Sequence, residues 1–181
     1  VEIPLIIYNI ASRTAVNIEP ETFAQLAELK NVVGVKESSG NLEQMSRILQ
    51  LTRGKLTLLS GDDALTLPVL SIGGTGVISV AANIVPRDMA AMVKTFQDGH
   101  HEDAVRWHQR LLPLVKALFL ETNPIPIKTA MGMLGLIAPE LRLPLCAMSE
   151  ANEERLRQAL NAYGLLNAQA GDGGRGAKVK A

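Results

Sequence analysis

Across positions 1–98, apolar runs of strand length alternate with stretches whose apolar residues recur at the 3.6-residue period of a helix. That alternation is the mark of parallel βαβ units, in which a crossover helix returns the chain to the same end of a sheet. Four units can be read. Ile3 to Tyr8 precedes a helix over Pro20 to Leu29, where Pro20 and Glu21 suit a first turn. Asn31 to Lys36 is a run expected to be buried on both faces, followed by a helix over Asn41 to Thr52 with Leu42, Met45, Ile48 and Leu49 on one side and Gly54 as its stop. Leu56 to Ser60 leads through Gly61-Asp62-Asp63 into a short helix over Ala64 to Ser71, and Gly76 to Val80 leads into a helix over Pro86 to Gln97 that Gly99 ends.

Beyond Gly99 the strand pattern stops. Helices are expected over 100–120, Pro124 to Leu134 and Glu150 to Tyr163, with a proline-broken connector at Leu141 to Met148 and Gly164 as the final cap. From Asn167 the sequence AQAGDGGRGAKVKA offers almost nothing to bury and reads as a disordered tail. A closed eight-stranded βα barrel needs roughly 250 residues, so positions 1–98 supply about half of one, 99–166 a helical domain and 167–181 the tail. A short doubly wound sheet is the alternative. It lacks a phosphate or dinucleotide fingerprint, since GGTGVIS has neither the lysine of a P-loop nor the G-x-G-x-x-G spacing.

The 18 basic and 18 acidic side chains cancel, so no global field recruits nucleic acid or an anionic membrane. No apolar run approaches the ~18 residues of a membrane span, and the opening VEIPLIIYNI lacks the basic leader of a secretion signal. One cysteine, Cys146, forms no internal disulfide, which suits a cytoplasmic protein, and with no activating base in view it reads as structural. The first segment already reads as a core strand and begins with valine, so the natural start is expected to lie upstream.

In parallel α/β proteins the chemistry gathers at the carboxyl ends of the strands. Those ends are Tyr8-Asn9, Lys36-Glu37, Gly61-Asp62-Asp63 and Ile78-Ser79. An ammonium closing the apolar run NVVGVK is either a nucleophile whose amine is favoured by burial or a lysine whose stem covers the core while its head reaches water. Tyr8 is a proton shuttle or a core tyrosine. Arg13, in the loop ASRT between flanking hydroxyls, is a carboxylate clamp or a solvated arginine. Gly61 and Gly76 leave room for a ligand or simply turn the chain. Asp62 and Asp63, adjacent at a helix start, read better as caps than as an acid–base pair. His100, His101 and His108 lack carboxylates or cysteine at ligand spacing, so no metal site is expected.

Taken in order, YNIASRT, GVKESSGN, LLSGDDA, GGTGVISVAAN and TNPIPIK resemble the dihydrodipicolinate synthase family from about Val1 to Leu166. The resemblance implies the carboxyl-terminal half of a (β/α)8 TIM barrel followed by a carboxyl-terminal helical domain. It also implies a pyruvate-dependent class I aldolase chemistry that condenses pyruvate with aspartate 4-semialdehyde on the lysine and diaminopimelate route. Lys36 would carry pyruvate as a Schiff base, so no separate cofactor is needed. Tyr8 would relay protons, Arg13 would hold the semialdehyde carboxylate, Gly61 would line the pocket, and Ile78 would do so through its backbone carbonyl. A homotetramer of two tight dimers would be the assembly. The arginine of SRT and the KESSGN that contains the lysine distinguish this chain from the related N-acetylneuraminate lyases, the nearest alternative. A non-catalytic fragment or assembly module is the alternative from another class. Two departures stand out. Ala11 occupies a position where the family usually has proline, and the family's first barrel half is absent, with its paired threonines, its tyrosine donated across the dimer interface and most of its lysine-inhibition site.

Overall fold

The structure, a computed structural model, describes residues 2–166; the expected tail over 167–181 lies outside the described residues. Four parallel strands, β1 (Leu5–Asn9), β2 (Val32–Glu37), β3 (Thr57–Ser60) and β4 (Gly76–Val77), pair in the order β1-β2-β3-β4. Each strand lies beside its sequence neighbour. The described strands therefore have no switch point, where a doubly wound sheet would reverse its order, and they follow the succession of a βα barrel.

Helix α1 (Ala11–Thr14) follows β1 and was not expected: ASRT is a single helical turn rather than an open loop. The amides of Arg13 and Thr14 donate to the Ile10 carbonyl, and Ala15 closes the turn at a left-handed φ of 58°. Helix α2 (Pro20–Leu26) stops three residues short of the expected Leu29, because Glu28 and Leu29 donate to carbonyls three positions back and tighten the last turn. Helix α3 (Leu42–Thr52) starts at Asn41, whose side chain accepts from the Gln44 amide at 3.0 Å, and closes on Arg53 in the left-handed region, one residue before the expected Gly54.

A 3-10 turn (Asp63–Leu65) and α4 (Thr66–Ser71) follow β3, and α5 (Pro86–Gln97) follows β4. Strand β4 ends at Val77 instead of Val80. The amides of Val80 and Ala81 turn to the Asp63 carboxylate, at 2.9 and 3.3 Å, and leave the ladder. Three further helices complete the described residues: α6 (His101–Ala117), α7 (Ile125–Met133) and α8 (Glu150–Tyr163), the last capped by Gly164 at φ 92°. The division between two compact units falls inside α6, between Leu111 and Leu112. Cys146 is exposed on the connector before α8, so it is no core residue; Met148, two residues on, is the buried one.

The core of the first unit lies on one side of the sheet, where Val32, Val35 and Leu58 meet Phe23, Met45, Ile48 and Val69. Leu5 and Ile7 of β1 pack against that cluster. Their alternates face the other way: Ile6 and Tyr8 are 49% and 45% exposed. No helix of the described residues is long and apolar enough to cross a membrane.

Candidate active site

Register brings the first two candidate residues together. Tyr8 pairs with Lys36 across β1 and β2, and the Lys36 Nζ stands 3.9 Å from the centre of the Tyr8 ring. A cation over an aromatic face gains about 0.5–1 kcal/mol near solvent, which favours the rotamer that places the amine beside a phenol. The expectation of a strand buried on both faces fails here: Val33 is 39% exposed and Lys36 half-buried. The packed cluster covers one face of β2, whereas Lys36 sits in register with Tyr8 on the other, so water reaches the amine.

Gly61 completes the floor. A Cβ at this position would lie 1.8 Å from the Ser38 Oγ and 3.1 Å from the Lys36 Cε. Its amide donates to the Glu37 carbonyl at 2.8 Å, which draws the loop after β3 against the end of β2. The Ser38 Oγ is buried and has no hydrogen-bond partner. Gly61→Ala should therefore push both Ser38 and Lys36 aside and lower the rate of borohydride-trappable imine formation by about tenfold or more, the scale of a displacement near 1 Å at reacting groups. Its backbone is outside the left-handed region, so the effect is steric; an unchanged trapping rate would contradict it. Gly76 differs, because a Cβ there would make only an ordinary 3.5 Å contact with Leu59.

Ile78 follows β4, its amide donating to the Ser60 carbonyl at 2.9 Å and its side chain 42% exposed. The two aspartates divide the work. Asp62 caps the 3-10 turn by accepting from the Ala64 amide at 2.8 Å, as expected. Asp63 instead reaches across to the loop after β4, where the Ser79 hydroxyl and the Val80 and Ala81 amides donate to it. Burial pushes the Asp63 carboxyl above the usual carboxylate range, against the pull of those three donors. This bridge fixes the segment that carries Ile78. Arg13 is exposed on α1, and its neighbour Thr14 spends its hydroxyl on the Ile10 and Val16 carbonyls, so the flanking hydroxyl is part of the turn.

A polar network lies behind the pair. Asn9 and Glu37, one residue beyond Tyr8 and Lys36 and likewise in register, are almost wholly buried and joined at 2.9 Å. Sequence reasoning placed both at strand ends without giving them a role. The signal was present: period-two alternation puts a residue next to an inward-facing one on the opposite face of the sheet. Among the described residues no three His, Cys, Asp or Glu side chains come together as a metal would require.

A profile of the Dihydrodipicolinate synthetase family matches residues 1–163. The chain belongs to that family. It is 54% identical over 167 residues to the 4-hydroxy-tetrahydrodipicolinate synthase of Endomicrobium trichonymphae, covering 92% of this chain and 57% of that one. The solved dihydrodipicolinate synthase of Aquifex aeolicus superposes with a TM-score of 0.89 at 47% identity, over 91% of this chain and 57% of the other. That of Acinetobacter baumannii, solved in complex with pyruvate, gives 0.88 at 36% identity over 91% and 57%. The chain thus spans little more than half the length of the relatives it matches. The α/β class with a parallel sheet agrees with the expected fold, and its structural neighbours are barrel synthases.

Proposed function

We propose that this chain carries the nucleophile of a synthase that condenses pyruvate with aspartate 4-semialdehyde to 4-hydroxy-tetrahydrodipicolinate. The observation that carries the reading is the Lys36 amine held 3.9 Å over the Tyr8 ring, on a floor that a side chain at Gly61 would fill. In this reading the amine adds to the pyruvate keto carbon and water leaves, giving an imine. Loss of a methyl proton converts the imine to an enamine, whose carbon attacks the aldehyde. Tyr8 moves protons to and from the carbinolamine oxygen. Gly61 and the Ile78 carbonyl line the pyruvate pocket, and the covalent imine takes the place of any cofactor.

The four βα units are read as the carboxyl-terminal half of the barrel, because helices alone follow β4 in the described residues. Under this reading positions 1–98 are barrel and 99–166 the helical domain. A homotetramer in the cytoplasm is the expected setting. A sugar-acid lyase would share imine formation, but the named synthases at about half identity and the Arg13 of SRT favour the semialdehyde. Offering aldehydes to the pyruvate-loaded protein with a complete barrel separates the two: aspartate semialdehyde should be consumed and N-acetylmannosamine should not, and the reverse preference would overturn the reading.

Arg13 should act on the second substrate only. Losing a charge-assisted hydrogen bond costs about 1.5–3 kcal/mol, or one to two decades in kcat/KM. In a protein with the complete barrel, Arg13→Ala is therefore expected to raise KM for aspartate semialdehyde while imine trapping survives. Loss of the pyruvate adduct with unchanged semialdehyde kinetics would contradict this role.

A further inference from the structure

The segment that carries Arg13 is closed at its base by side chains. Asn9, the last residue of β1, donates from Nδ2 to the Asn17 Oδ1 at 2.9 Å, and its own Oδ1 accepts from the Ile18 amide at 3.1 Å. Asn17 donates to the Gln44 Oε1 at 2.8 Å and to Glu19 at 2.8 Å, and its Oδ1 accepts from the Gln44 Nε2 at 3.2 Å. The Glu37 carboxylate receives Asn9 at 2.9 Å, the Ser39 amide at 2.6 Å and Gln44 at 3.3 Å.

The orientations in this network are fixed from both ends. The Ile18 amide can only donate, which obliges Asn9 to turn its NH2 toward Glu37 and Asn17. At the other end Glu37 meets donors only, which suits an acceptor-only carboxylate. Glu37 is fully buried and directly follows Lys36 in the chain.

We propose that Asn9, Asn17, Gln44 and Glu37 are positioning residues that tie the Arg13 turn to the strand end bearing Lys36, setting where the carboxylate of the second substrate is held relative to the imine. The inference rests on the synthase reading and adds to it a specificity device outside the reacting groups. Between Asn9 and Asn17 the hydrogen bonds of the turn are all short-range, from Arg13, Thr14 and Ala15 back to Ile10 and Ala11 and between Thr14 and Val16, so the base supplies its hydrogen-bonded tie to the strand end.

The test uses two variants in a protein carrying the complete barrel. Asn17→Ala removes the base of the turn. Gln44→Met keeps the volume on an established helix but drops both amide roles, so it remains informative where the first variant fails to fold. Losing the four side-chain hydrogen bonds of Asn17, or the three of Gln44, should raise KM for aspartate semialdehyde about tenfold, with borohydride trapping of pyruvate and KM for pyruvate changed less than about twofold. Amide exchange should quicken over 11–16 without a matching change across β2 and α3. A merely structural role would instead lower both substrate affinities and imine trapping together, and that result, or an unchanged semialdehyde KM in Gln44→Met, overturns the proposal. Absence of any adduct in the unsubstituted protein would overturn the synthase reading first, while localised exchange at 11–16 would still support the anchoring itself.

Discussion

In a protein with the complete barrel, replacing Lys36 with alanine should abolish borohydride trapping and lower condensation by about a thousandfold or more, the range seen when a covalent nucleophile is removed. The fold should survive. Lys36 is half-buried on the sheet face opposite the packed cluster, and its ammonium is held by the Tyr8 ring, an interaction near solvent worth about 0.5–1 kcal/mol. Thermal unfolding should thus shift by only a few degrees, whereas activity vanishes. A variant that unfolds, or one that keeps more than a tenth of the activity, would show that Lys36 is structural or dispensable.

The 181-residue chain by itself is expected to show no measurable condensation. It spans 57% of the length of its Endomicrobium relative, and the sheet face that bears Tyr8 leaves Ile6 and Tyr8 open to water. A site exposed in this way has a high effective dielectric, which weakens the fixed dipoles that stabilise charge in a transition state. The same exposed apolar side chains and the open edges of β1 and β4 should drive self-association. Adding the remaining βα units of a relative as a second chain should restore turnover if the two dock. Robust turnover by the purified chain alone, with its mass verified, would show that the site is complete within these residues.

Much of the fold was legible because burial imposes period. The helices over Pro86–Gln97 and Glu150–Tyr163 fall where the apolar spacing, Pro86 and Gly164 place them. The misses have separate causes, and only the early end of β4 comes from a tertiary hydrogen bond that overrode local pattern. Val80 and Ala81 continue an apolar run, yet Asp63, seventeen or more residues away, takes their amides out of the strand. ASRT carries no apolar period, so its single turn, held by the Ile10 carbonyl and a left-handed Ala15, left no trace in spacing. The places of Lys36 and Tyr8 at the ends of adjacent strands were legible from the apolar runs they close. Asn9 and Glu37 stood in the same dipeptides, but their joint burial depends on a one-to-one register between β1 and β2 that no single strand reveals. The exposure of Val33 was illegible for a related reason: it lies where that register slips, between the pairs Leu5–Val32 and Ile6–Gly34.

The central claim is that Lys36 is the amine that captures pyruvate. The protein with a complete barrel is incubated with pyruvate and borohydride, its intact mass is measured, and the adduct is located by peptide mapping. One reduced pyruvyl group per chain, on Lys36, is the expected result. An adduct on the exposed Lys30, or on Lys55 with its 2.6 Å ion pair to Glu28, or no adduct at all, would contradict the account.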